Sequence, residues 1–246
     1  MLPGPLIALA GKVLVIYPNE GRLKMKEIFG KIVLDRLEEQ VDTRHTAILV
    51  IDMQNDFCTK GGVSHQRGKD LSSIEQMIPR LQRFIDKARQ NKILLVFVKN
   101  VTLKNGLSDS GAWLYFKSRL GPGEEYTLKD TWGCEFIDAI KPAEGDAVVE
   151  KHRSSAFINT DLDLVLRSNK IETIVVTGVV TQGCVESTVR DGAFLDYYVV
   201  TVGDCVATYY GQEVHNASMK ILEYRSTVVN SERLLEIWDS RYQRRS

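Results

Sequence analysis

The chain has 246 residues, 43% of them hydrophobic and 26% charged, which excludes a disordered or fibrous polymer and provides enough apolar side chain for a full core. Its 32 Lys plus Arg offset 32 Asp plus Glu, so bulk electrostatics give no reason to expect nucleic acid or an anionic membrane as partner. Four scattered cysteines, Cys58, Cys134, Cys184 and Cys205, have neither C-x-x-C nor zinc spacing and read as reduced thiols of a cytoplasmic protein.

Leu6–Tyr17 is apolar, but no basic stretch precedes it, Pro3, Pro5 and Gly11 interrupt it, and it is shorter than the roughly 20 residues of a membrane helix. Residues 1–40 are therefore read as an N-terminal extension, supplying an extra strand or a dimer arm, ahead of a single domain over 41–246. Six short β-branched runs follow as strands: Ala47–Asp52, Ile93–Lys99, Ala147–Glu150, Thr173–Thr177, Tyr198–Val202 and Ser226–Val229. Between and after them, apolar residues at three and four spacing predict helices over Ile74–Gln90, Asp161–Ser168, Val185–Leu195, Glu213–Leu222 and Glu232–Ser240. This alternation is the signature of an α/β fold, a three-layer α/β/α sandwich around a six-stranded, mainly parallel sheet. Leu103–Trp132, with Gly106, Gly111, Gly121, Pro122 and Gly123 among aromatics, is too long for an ordinary connection and reads as a lid or a subunit contact. Arg241–Arg245 read as a solvated tail.

In open sheets of this kind ligands sit beyond the carboxyl ends of the strands. Asp52 ends the first strand in AILVID, Lys151 ends the third in AVVEK, and Cys184 lies in the turn after the fourth, in IVVTGVVTQGC. Taken singly, Asp52 reads equally as a turn cap, Lys151 as a surface charge and Cys184 as a small core residue. Together they supply a proton carrier, a cation and a nucleophile for acyl transfer. Strands are roughly 4.8 Å apart, so the Lys151 side chain can reach over an intervening strand. A helix N-terminus and a nearby Lys151 are expected to favour the Cys184 thiolate. Phe57 is placed as an apolar wall or a core residue, Asn100 as a hydrogen-bonding substrate contact or a turn residue, and Trp113 and Trp132 as shields against water.

The runs AILVIDMQNDFC (47–58), EKHRSSAFINTDLD (150–163) and TGVVTQGCVESTVRDGAFLDY (177–197) resemble the isochorismatase-like cysteine hydrolases, especially their ureidoacrylate, biuret and triuret amidohydrolase branch. The resemblance covers roughly residues 40 to 240 and implies a Rossmann-like topology, no cofactor and no metal. It implies Asp52 as general base, Lys151 as cationic partner, Cys184 as nucleophile, and a cis peptide between Val179 and Val180 that aims the Val180 amide, with that of Cys184, into an oxyanion hole. It further implies a small amide or ureido substrate and a homodimer or homotetramer. A metal-assisted nicotinamidase would need a histidine that VFVKNVTLKNG lacks, and a true isochorismatase would lack Cys184. A redox-sensing thiol would need a resolving cysteine nearby. A catalytically silent binding or interaction module on the same sheet is the remaining alternative; GVVTQG lacks the G-x-G-x-x-G spacing of a dinucleotide site.

Overall fold

The computed structural model describes residues 26–119 and 125–243, with side chains described to residue 240. Leu6–Tyr17, Gly121–Gly123 and the side chains of Arg241–Arg245 therefore lie outside the described residues. The chain divides into two compact units, Met1–Asp35 and Arg36–Ser246. In the first, β1 (Lys26–Ile28) and β2 (Lys31–Val33) form an antiparallel hairpin. Phe29 and Gly30 at its tip both have left-handed φ, 50° and 77°, as a tight hairpin turn demands. The extra strand or dimer arm expected in the extension rests on the apolar Leu6–Tyr17 run, outside the described residues; residues 26–33 are not selected from the sequence, because three-residue strands are too short to show alternation.

The second unit contains, in chain order, α1 (Leu37–Gln40), β3 (Thr46–Ile51), α2 (Asn55–Cys58), α3 (Val63–Gln66), α4 (Ser72–Gln90), β4 (Leu94–Asn100), α5 (Gly111–Arg119), β5 (Ala147–Lys151), α6 (Leu162–Ser168), β6 (Thr173–Val179), α7 (Glu186–Phe194), β7 (Tyr198–Ala207), α8 (Gln212–Leu222), β8 (Thr227–Val229) and α9 (Ser231–Gln243). Six of these strands form one sheet in the order β5-β4-β3-β6-β7-β8, with every neighbouring pair parallel. The chain winds outward from β3 in one direction and then from β6 in the other. The crevice beyond the ends of β3 and β6 is thus the topological switch point, where such sheets bind ligands.

All six residues of β3 are buried, as expected of a strand covered on both faces. Ile48 and Val50 join Ile74, Met77, Leu81 and Phe84 of α4 and Leu234 and Trp238 of α9 in one core. Ala47, Leu49 and Ile51 join Leu162 and Leu166 of α6 and Val189 of α7 in the other. The two layers of side chains follow from the strand's period of two. Trp238 also donates its indole N–H to the Val41 carbonyl at 2.9 Å, so its one polar atom is satisfied in the core.

One strand runs well past its expected end. β7 spans ten residues, to Ala207 rather than Val202, because a register shift between Val176 and Gly178 leaves Gly203, Asp204 and Cys205 outside the ladder and pairing with β6 resumes at Val206 and Ala207. A Gly-Asp pair reads locally as a turn. Here Asp204 instead caps α9, accepting hydrogen bonds from the Ser231 N–H and hydroxyl, both at 2.7 Å. Among the described residues no helix is long and apolar enough to cross a membrane.

Candidate active site at the carboxyl edge of the sheet

Asp52 follows the last residue of β3 and takes a left-handed φ of 51°, a conformation Asp tolerates better than most residues. Its N–H still donates to Val98 across to β4 at 2.9 Å, so the turn begins only beyond the ladder. On the other side, Gly178 has φ 106°, and a Cβ there would stand 2.1 Å from the Ile51 carbonyl oxygen. Glycine is what lets the ends of β3 and β6 close this tightly.

Lys151 ends β5 in register with Asn100 of β4 and lies two strands from Asp52. Its side chain spans that gap. The ammonium sits 2.9 Å from Asp52 Oδ2, donates to Cys184 Sγ at 3.2 Å and donates to the Arg153 carbonyl at 3.0 Å. These three partners match its three N–H groups. Asp52 and Lys151 are both fully buried, whereas Cys184 is half-buried, in a π-helical turn over Thr181–Val185 that leads into α7. The peptide bond between Val179 and Val180 at the entry to that turn is cis.

Burial raises Asp52 above the ordinary carboxylate range, although Lys151, the Cys184 thiol and the Asn100 backbone all lower it. Burial opposes the Lys151 charge, but the Asp52 charge and the hydrogen bonds to Asp52 and to the Cys184 sulfur outweigh it and raise its pKa, so the ammonium is held. For Cys184, burial first and the Asp52 charge second push the thiol up to about 12, against the pull of Lys151. This corrects the expectation of a favoured thiolate: the thiol rests neutral beside the Lys151 ammonium. Lys151 is matched by Asp52, so little of its field remains for sulfur.

The three groups meet at a cavity of about 370 Å³. Asp52, Phe57, Asn100, Trp113, Val179, Val180 and Cys184 line it, which places every other sequence-selected position on the same wall except Lys151, which stands behind Asp52 and Cys184, and Trp132, which is 55% exposed and contributes nothing to the lining. Trp132 instead offers its carbonyl to Asn55 Nδ2 at 2.8 Å. Phe57 serves both expectations, being a core residue and a wall. Asn100 is buried; its Oδ1 accepts from Thr127 Oγ1 at 3.0 Å, and Gln54 clamps its backbone with two hydrogen bonds of 2.8 Å.

Residues that sequence reasoning missed complete the cavity: Phe116, Tyr126, Ser154, Gln182, Tyr209, Tyr210 and Val214. Tyr209 and Tyr210 follow the true end of β7, so the rule that ranked Asp52 would have selected them had that strand been read to Ala207. Tyr126 and Phe116 carry no comparable signal. The cavity side of the long insertion is fixed by Asp56, whose carboxylate accepts from Thr127 N at 2.6 Å and Val63 N at 3.1 Å. Among the described residues no three or more His, Cys, Asp or Glu side chains are grouped to hold a metal ion.

An isochorismatase-domain profile matches residues 46–233. The chain is 35% identical over 190 residues to the ureidoacrylate amidohydrolase RutB of Acinetobacter baylyi, covering 73% of this chain and 78% of that protein. Among solved structures, an isochorismatase-like hydrolase from Alkaliphilus metalliredigens superposes with a TM-score of 0.68 at 32% identity, covering 78% of this chain and 98% of that one. A cysteine hydrolase from Pseudomonas syringae pv. phaseolicola superposes with a TM-score of 0.70 at 26% identity, covering 82% and 95%.

Proposed function

This chain belongs to the isochorismatase family, and from that premise we propose that it is a cysteine-dependent amidohydrolase that cleaves a C–N bond of a small amide or ureido compound, with Cys184 as nucleophile. The observation that carries the reading is the Lys151 ammonium, 2.9 Å from Asp52 and 3.2 Å from Cys184, behind the wall of a cavity of substrate size. An idle buried charge pair is costly to keep, and one beside a thiol at a ligand crevice has a chemical use.

In this reading Asp52 takes the thiol proton as sulfur adds to the substrate carbonyl. Its raised pKa suits the task, because a stronger base than an ordinary carboxylate is needed to deprotonate a thiol near 12. Lys151 holds the charge constant while the proton moves between its two neighbours. The amides of Val180 and Cys184 receive the carbonyl oxygen as it becomes an oxyanion. Collapse breaks the C–N bond, and protonated Asp52 gives its proton to the departing ammonia or amine. Water, deprotonated by the same carboxylate, then cleaves the thioester or thiocarbamate and returns the proton to sulfur. Asn100 hydrogen-bonds the substrate from the side, and Phe57 packs against it.

The similarity to a ureidoacrylate amidohydrolase supports a ureido compound as the substrate class. Ammonia release from biuret, triuret, ureidoacrylate and N-carbamoyl amino acids is the direct assay, with the Cys184→Ser protein as control. Turnover by the native protein and none by the variant is the expected outcome. Equal turnover by both would remove Cys184 from the reaction.

A further inference from the structure

The reading above leaves open what the substrate carries beyond its scissile bond, and the cavity wall addresses that. Among the described residues none of those lining the cavity is Lys, Arg or His, and six of the fifteen are aromatic. We propose, resting on the amidohydrolase reading, that the substrate is an uncharged amide or urea bearing a flat apolar substituent, rather than a ureido acid or a small all-polar compound such as biuret.

A substrate carboxylate entering this space meets the buried Asp52 carboxylate on the wall. Lys151 cannot offset it, because its three N–H groups already face Asp52, Cys184 and the Arg153 carbonyl. Three further cations stand behind lining rings without lining the cavity themselves: Arg153 lies over Trp113 at 4.8 Å and donates to the Ser108 and His152 carbonyls, Lys117 lies over Tyr126 at 4.8 Å and is paired with Asp109, and Lys69 lies over Tyr210 at 4.4 Å. The undescribed stretch 120–124 of the neighbouring insertion reads LGPGE and has no basic residue. A carboxylate would thus be desolvated without a partner, the costliest form of burial.

The aromatic walls argue in the same direction. Trp113 stacks on Phe116 at 4.9 Å and 20°, Phe57 tilts against Tyr126 at 5.6 Å, and Tyr209 against Tyr210 at 4.9 Å. Such faces reward a flat apolar group. A biuret-like molecule has no apolar surface to place against them. Apart from Asp52, the polar side chains among the lining residues are neutral. Asn100 Nδ2 has no partner among the described residues, and Gln182 Oε1 is buried without one. This donor and this acceptor suit an amide or urea unit.

Matched pairs with the same carbamoyl group test this: N-carbamoyl-β-alanine against N-butylurea, and ureidoacrylate against phenylurea. Native protein is expected to prefer the neutral member by about 100-fold in kcat/KM. An equal or higher value for the carboxylate member overturns the proposal and leaves the cysteine mechanism standing. Binding of the same pairs to Cys184→Ser, read by tryptophan fluorescence, separates the two claims. If the native protein hydrolyses none of them, the amidohydrolase reading falls, and the binding ratio alone decides this one: tighter binding of the neutral members supports it, tighter binding of the acids overturns it. Phe116→Arg, which places a cation on the wall, is expected to move the ratio at least 10-fold toward the acid; an unmoved ratio in folded variant counts against the proposal. Arg153→Gln should leave the ratio unchanged, whereas selective loss of the acids would identify Arg153 as an anion anchor and overturn it.

Discussion

The floor and the roof of the cavity are built by different means. The floor is the carboxyl edge of the sheet, where Asp52, Lys151 and the turn holding Cys184 emerge from strands whose side chains fill two packed cores. The roof is part of the Leu103–Trp132 insertion, chiefly α5, whose Leu114, Tyr115 and Phe116 remain 37%, 61% and 39% exposed. No apolar stripe docks this helix. What is buried on it is Lys117, paired with Asp109 at 2.9 Å and lying over the Tyr126 ring at 4.8 Å. Rigid backbone thus holds the reacting groups, while a lightly attached segment supplies the surface that meets the rest of the substrate. The division predicts that floor substitutions act on chemistry and folding and roof substitutions on binding.

The largest effect belongs to the floor. Cys184→Ser should lower kcat by about 10⁴-fold or more with an unchanged circular dichroism spectrum, since removing a nucleophile abolishes the covalent route but no packing. A residual rate within tenfold of native would break the assignment.

Next comes the buried pair. Lys151→Met strands the Asp52 carboxylate in the interior and should cost about 3–5 kcal/mol in urea unfolding, with loss of turnover. The double variant with Asp52→Asn should recover most of that stability and none of the activity, because a neutral pair needs no partner charge. Full stability in the single variant would mean that Asp52 is protonated when alone, and the floor would be less rigidly charged than argued.

A roof substitution is smaller in scale and different in kind. Trp113→Ala removes half of the Trp113–Phe116 stack and should raise KM about 10-fold while leaving kcat within about twofold. If kcat falls with KM unchanged, the roof takes part in the chemical step, and the contrast between the two regions fails.

The same contrast explains what could be read from the sequence. The strands of the sheet are short β-branched runs between helical patterns, and their carboxyl ends select Asp52, Lys151 and Cys184 without knowledge of any contact. Where a strand end was misjudged the site was too: stopping β7 at Val202 hid Tyr209 and Tyr210. The roof offers no periodicity, because α5 is held by an ion pair and by Tyr126 rather than by an apolar face. Trp132 was selected as a shield for its aromaticity alone, and lies half exposed. The protonation state of the thiol was also illegible. It depends on how far Asp52 offsets Lys151, a matter of distances and burial that composition does not encode.

The smallest effect tests that offset directly. Burial and the Asp52 charge push the Cys184 thiol up to about 12, so thiolate absorbance at 240 nm in the native minus Cys184→Ser difference should stay flat between about pH 6 and 9. The raised pKa of Asp52 places the acid limb of kcat/KM above the ordinary carboxylate range, with activity lost as pH falls through that limb and the base becomes protonated. Asp52→Asn removes a negative charge from beside the sulfur while Lys151 keeps its positive one, so the thiol pKa must then fall and absorbance appear at lower pH. A thiolate step near neutrality in the native protein would mean that Lys151, not Asp52, governs the sulfur. The floor would then hold a preformed nucleophile, and Asp52 would have no proton to take from it.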